Sequence, residues 1–336
     1  MLRAGFPYLK TLGMRRITNF PADVAIGGEG RIYVLLRNDG AAVIRPWTLD
    51  DAEKLTDDLG TIGGIGKDEG QFTWPVALIA DHEENLFVSD EYLHRISSFN
   101  RDGEFLGMWG ESGNGDGQLN RPSGIAFDPE ENLYVVDTKN HRVQKFTKDG
   151  KFLMKWGSFG AGEGQFNSPW GITVDELGDV YVVDWRNDRL QKFTADGEFI
   201  FSIGRSGSKD GEFNRPTGVA VDKDGDIYVA DCGNNRVQLF NEEGRYVQKF
   251  LGDATLSRVA RTYMLTNAYP NRLRDIANLE QEKYLRSPRS VRVDDEGRMY
   301  VPDYKSYRVQ VYQKEAIPLD EHEMAPPVRS PTLQTT

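Results

Sequence analysis

Asn120-Arg121-Pro122-Ser123-Gly124-Ile125-Ala126-Phe127-Asp128 returns as Asn167-Ser168-Pro169-Trp170-Gly171-Ile172-Thr173-Val174-Asp175, and again as Asn214-Arg215-Pro216-Thr217-Gly218-Val219-Ala220-Val221-Asp222. Weaker copies carry Pro75, Pro288 and Pro21, so six units begin within 336 residues. Pro75, Pro122, Pro169 and Pro216 stand 47 residues apart; the first unit is seven residues longer and the fifth twenty-five longer. A fixed period of this length marks a chain built by repetition of one supersecondary unit.

Each unit reads as four short strands. In the third unit they follow Pro122, then cover Leu133-Tyr134-Val135-Val136, Arg142-Val143-Gln144-Lys145-Phe146 and Phe152-Leu153-Met154-Lys155-Trp156. Their β-branched and aromatic enrichment, with Asp-Gly turns at Asp149-Gly150 and Asp196-Gly197, fits antiparallel hairpins. Four strands in about 47 residues make one propeller blade. The sixth unit runs from Ser287 through Tyr312 and ends before a fourth strand, whereas Phe6–Gly13 precedes the first unit and ends in glycine as fourth strands do. The expected fold is therefore all-β: a six-bladed β-propeller of four-stranded antiparallel blades over residues 4–315, its ring closed by the N-terminal strand. A helical insertion is expected at about 252–285, between blades five and six, because Leu256, Val259, Ala260, Met264 and Leu265 follow a helical period, as do Leu273, Ile276, Ala277 and Leu279. It reads either as structural cover or as a lid or docking element. Residues 316–336, with Pro318, Pro326, Pro327 and Pro331, read as a flexible tail.

Composition narrows the function. No run approaches eighteen apolar residues, so no membrane helix is expected, and the start of the chain lacks the apolar stretch of a secretory signal, which points to a cytoplasmic protein. One cysteine, Cys232, forbids an intrachain disulfide, and four histidines leave little for a zinc site. A net charge of −11 argues against overall attraction to nucleic acid.

The sequence resembles the NHL-repeat β-propellers over about residues 4 to 313. The resemblance rests on the Asn-x-Pro-x-Gly starts, on Tyr-Val-x-Asp closing the second strand, on Asn140-His141-Arg142-Val143 and Asn234-Asn235-Arg236-Val237, and on Gly164-Gln165-Phe166. It is poor in the first blade, where Leu36 replaces the strand-closing Asp and the third strand lacks its Arg, so an irregular blade is expected there. It implies the fold and leaves the function open.

Alternation along the first strands turns Asp23 and Ala25, Ala77 and Ile79, Gly124 and Ala126, Gly171 and Thr173, Gly218 and Ala220, and Ser290 and Arg292 to the central channel. Asp23 and Arg292, on blades adjacent across the ring closure, are expected to pair. This wall lacks the histidines of the amidating lyases that resemble the family and the carboxylates of lactonase-type propellers, so neither metal nor cofactor is expected. Asp81, Asp128, Asp175, Asp222 and Asp294 recur at the far end of the first strand and read as turn acceptors, a shared cation being the alternative. Asp90 with Arg95, Asp137 with Arg142, Asp184 with Arg189, Asp231 with Arg236 and Asp303 with Arg308 read as one staple per blade. Cys232 sits at a position that holds Glu91, Thr138, Trp185 and Tyr304 elsewhere, and His94 and His141 read as surface polar residues.

Charge separates the two faces. The loops joining first to second strands hold sixteen acids against Lys223, a net of −15. The opposite face gathers Trp74, Arg121, Trp170, Trp185, Arg186, Arg215, Arg289, Tyr304 and Lys305, with Arg286 and Lys139. Basic groups among aromatics suit a protein or peptide partner, or RNA, which the overall acidity disfavours. The reading is a monomeric, non-catalytic binding or scaffold module. The alternative is an enzyme, a lyase or hydrolase using the channel mouth, with Asp23, Arg292 and the insertion as its candidates.

Overall fold

A computed structural model describes residues 2–13, 18–38, 40–49, 60–257, 260 and 279–318. Alternating apolar side chains pair the strands into a ring of six antiparallel sheets. In blade three the order is Pro122–Phe127, Leu133–Asp137, Arg142–Phe146 and Phe152–Trp156, from centre to rim. Blades two, four and five repeat it. The second strands, buried on both faces, read as continuous apolar runs, while the outermost strands alternate half-buried and exposed. The core is segmental: apolar clusters lie between neighbouring blades, such as Val136, Val143, Phe166, Ile172 and Val182 between the third and fourth.

The N-terminal strand closes the ring. Tyr8–Leu12 pairs antiparallel with Arg308–Gln313, Thr11 opposite Gln310 and Leu12 opposite Val309, and so supplies the outer strand of blade six. Beyond it, Glu315–Pro318 pairs with Leu2–Gly5 in a separate two-stranded ribbon, so the tail expected from residue 316 begins as a strand; residues from 319 lie outside the described ones. Blade one is irregular as anticipated: among the described residues it has three strands, Pro21–Ile26, Arg31–Asn38 and Ala41–Thr48, with a single bridge from Ile44 to Ile62 in place of a fourth.

The helical insertion needs correction. Most of 252–285 lies outside the described residues, and the α-helix described there is one turn, Leu279–Glu282, so a helical hairpin is not borne out. What is described is its base, pinned where the Leu285 N–H donates to the Leu251 carbonyl at 2.7 Å. No described helix is long and apolar enough to cross a membrane.

Candidate functional site: the basic, aromatic mouth

The centre of the ring is narrow. Innermost strands approach so tightly that a Cβ on Gly171 would stand 2.5 Å from the Thr217 carbonyl oxygen, and one on Gly124 2.6 Å from that of Trp170. Only glycine permits this approach. The space left in the bore is about 40 Å³, bordered by Asp23, Ala77, Gly124, Gly171, Gly218, Ser290 and Arg292 among others. Asp23 and Arg292 meet there: Arg292 donates from Nη2 to Oδ2 at 2.6 Å and from Nε to Oδ1 at 3.2 Å. Asp23 also accepts from the Ser290 hydroxyl and the Leu78 N–H, which ties blades six, one and two together.

Above the bore, the loops between second and third strands and those entering the blades surround a cavity of about 450 Å³. Its lining includes Trp74, Arg121, Trp170, Trp185, Arg186 and Arg289 of the residues singled out from sequence. Arg215 does not line the cavity; its guanidinium lies 5.5 Å from the Trp185 ring, with that of Arg186 5.3 Å from the same ring. Trp170 and Trp185 are neighbours, with ring centroids 6.1 Å apart. Tyr304 lies under the Arg289 guanidinium at 4.6 Å and borders the bore, not the mouth. Lys305 is exposed and lines neither space.

Sequence reasoning missed Arg37, Glu91 and Tyr92, which also line the mouth. Arg37 follows Leu36, which pairs with Pro21 as Asp90 pairs with Pro75, so it shares the register position of Glu91, Thr138, Trp185, Cys232 and Tyr304. That register was the available signal. The Arg37 guanidinium stacks on Trp74 at 4.6 Å and stands 3.8 Å from Glu91. Burial brings it down to about 10, with Glu91 opposing the fall and the like charge of Arg289 adding to it. Arg121 shares Glu91 at 3.4 Å. Five cations, Arg37, Arg121, Lys139, Arg186 and Arg289, thus face one lining carboxylate.

The repeated acids are structural. Asp222 accepts the N–H groups of Asp224 and Asp226, and Asp175 those of Leu177 and Asp179, as turn acceptors do. Their outer oxygens meet cations the charge count had set elsewhere: Lys148 reaches Asp81, Lys145 reaches Asp128, and Lys314 reaches Asp222, Asp224 and Asp226 together. This face is accordingly less negative than its loops alone suggest. Among the described residues no group of three or more His, Cys, Asp or Glu could hold a metal ion.

Four staples form as expected. Asp137 receives the Arg142 Nε at 2.8 Å together with donors from Asn120, Asn140 and Gln144, and blades four, five and six repeat the ion pair. Blade two departs: Asp90 is taken up by the N–H groups of Thr73, Trp74, Tyr92 and Leu93, while Arg95 donates to the carbonyls of Lys67, Asp68 and Gln71. His94 and His141 are more than surface polar groups, since each accepts through Nδ1 the N–H of the residue before the next blade's proline, Arg121 and Ser168. Cys232 is half-buried, its Sγ donating to the Ser287 hydroxyl at 3.6 Å.

The NHL repeat family model matches residues 119–146, 166–193 and 213–240, which lie in blades three, four and five. The chain is a six-bladed propeller that carries NHL repeats in three of its blades. This propeller is similar to a crystal structure of virginiamycin B lyase from Staphylococcus aureus, at 12% identity and a TM-score of 0.58, over 93% of this chain and 99% of that one. It is also similar to a protein of unknown function from Bacteroides thetaiotaomicron, at 15% identity and a TM-score of 0.63, over 94% of this chain and 77% of that one. At these identities the likeness is one of fold. No curated protein sequence matches the NHL propeller.

Proposed function

We propose that this propeller is a non-catalytic binding module that takes a polypeptide segment into its basic, aromatic mouth, acting as a single copy in the cytoplasm. The observation that carries the reading is the cavity of about 450 Å³ at that mouth, walled by Trp74, Tyr92, Trp170 and Trp185 and holding five cations against Glu91. Aromatic rings and arginines are the side chains that anchor polypeptide partners, because both combine large contact area with directed polar atoms. Trp74 is 48% exposed and Tyr92 52% exposed, so two of the four rings still have surface to bury against a partner. The cations stand around one recess and do not form a track, and the net charge of −11 opposes the approach of a long polyphosphate, which favours peptide over RNA. The bore beneath joins Asp23 to Arg292 in a closed pair, consistent with a structural centre.

Crosslinking in cells, followed by identification of the polypeptides joined to the chain, tests this reading. The triple variant Arg121→Glu, Arg215→Glu, Arg289→Glu, folded by circular dichroism, should lose the polypeptides that the native chain retains. An unchanged set of crosslinked polypeptides sinks the reading.

A further inference from the structure

Two of the five cations of the mouth, Arg37 and Arg289, stand at its floor. Arg37, Trp170, Thr217 and Arg289 border both the mouth cavity and the small space beneath it, whereas Trp74, Arg121, Trp185 and Arg186 border the mouth alone. The first group is therefore the neck. Below it the bore leaves only about 40 Å³, occupied at its edge by the Arg292–Asp23 pair, too little for a chain to pass, so a segment enters and leaves the mouth by the same side. Arg289 stacks on Tyr304, and its Nε is buried with no hydrogen-bond partner. Arg37 has Glu91 at 3.8 Å and the Pro75 carbonyl at 3.5 Å, and it shares Glu91 with Arg121. Two guanidiniums at the neck, with one carboxylate divided between one of them and a third arginine, leave positive charge uncompensated. A buried donor without an acceptor is costly, and a planar anion that takes two or more N–H groups is the group that removes the cost.

We propose that Arg37 and Arg289 clamp a single carboxylate of the bound polypeptide at the floor of the mouth, the chain leading out past Trp170 and Trp185. The clamp rests on the peptide-binding reading above and names what that site selects. A recess this narrow below admits a chain end or one side chain, so the carboxylate is the C-terminal one or that of an Asp or Glu; a polynucleotide, which presents phosphates in series, suits a track of cations, and these five stand around one recess.

Three acetylated dipeptides test it by calorimetry on the full chain: Trp-Gly with a free C-terminus, Trp-Gly amide, and Trp-Asp amide. At least one carboxylate peptide should bind about tenfold or more tighter than the neutral Trp-Gly amide, the size expected for losing a charged hydrogen bond. Which one does so separates terminal from side-chain recognition. In Arg37→Gln and Arg289→Gln that preference should vanish, while Lys305→Gln, outside both cavities, should keep it. Equal binding of all three peptides to the native chain overturns the clamp without recourse to variants and leaves the peptide-binding reading standing. Binding of none of them, or an oligouridylate ten-mer that binds tighter than the carboxylate peptides and is lost in the same two variants, also overturns the clamp. Failure of the broader reading appears separately, as crosslinked polypeptides indifferent to the charge of the mouth.

Discussion

Arg292, on the innermost strand of the last blade, grips both carboxylate oxygens of Asp23 on the innermost strand of the first, across the one boundary where the two ends of the chain meet. Asp23 is 2% exposed and takes two further donors from blades two and six. Removing one partner of a buried pair strands the other, at a cost of about 3–5 kcal/mol. Asp23→Ala should lower the stability measured by urea unfolding by that amount. The double variant with Arg292→Ala should cost less than the sum of the singles, since no charge is then left unpaired. Additive losses would show that the pair does not hold the ring.

The tight centre predicts an unusually sharp glycine requirement. A Cβ on Gly171 meets the Thr217 carbonyl oxygen at 2.5 Å and the Gly218 Cα at 3.0 Å, both backbone atoms that cannot rotate away. Gly171→Ala should destabilise by about 1–3 kcal/mol, as overpacking does elsewhere. Gly164→Ala tests the other cause of glycine preference, because that residue has a positive φ of +70° and open space around its Cβ position. Its cost should be purely conformational, about 1 kcal/mol. Thermal unfolding of the two variants distinguishes the mechanisms: only the first should also perturb near-ultraviolet signals from the neighbouring Trp170.

The blades, their order and the closing strand were legible because Pro122, Pro169 and Pro216 set a period that local structure obeys. The Asp23 pair was legible for the same reason, since register places both side chains on the bore. Arg37 was not: in blade one Leu36 interrupts the repeat, and only the pairing of Leu36 with Pro21 shows that the next residue reaches the mouth. The pairing of Lys148 with Asp81, on neighbouring blades, was hidden too, because it depends on how far a side chain reaches across a blade boundary and leaves no periodic mark. Asp90 and Arg95 keep the five-residue spacing yet do not pair, since four N–H groups of neighbouring loops take the carboxylate first.

Lys314 carries a different kind of closure. Directly after the last blade strand, its ammonium lies 2.6 Å from Asp222, 2.8 Å from Asp224 and 2.8 Å from Asp226, and these contacts outweigh its burial and raise its pKa. Lys314→Met leaves three carboxylates facing one another. The variant should lose about 1–3 kcal/mol at low ionic strength and recover part of it in 0.5 M salt, because screening relieves like-charge repulsion. A loss indifferent to salt would mean that the lysine acts through its methylene stem.

His141 makes stability depend on pH through a blade boundary. It sits at φ +56° after the strand loop and accepts the Ser168 N–H at 3.0 Å through Nδ1, so the imidazole must be neutral at that nitrogen. Burial lowers its pKa below 6.5, and the charges of Lys139 and Arg186 act in the same direction. A group whose folded pKa is depressed contributes stability that is present above the unfolded value, near 6.5, and lost as pH falls through the folded value. Asn235 performs the same task at φ +54°, accepting the Ser287 N–H at 2.8 Å with a side chain that does not titrate. Asn also tolerates the left-handed conformation. His141→Asn should therefore match the native chain at pH 8 and exceed it at pH 5 by about 1 kcal/mol, the worth of one hydrogen bond, while His141→Ala should be weaker at both. His94 keeps its own acceptor role in all three chains, so its contribution cancels from the difference. Parallel stability curves for the native chain and His141→Asn between pH 8 and pH 5 would remove His141 as the source of acid sensitivity at this boundary.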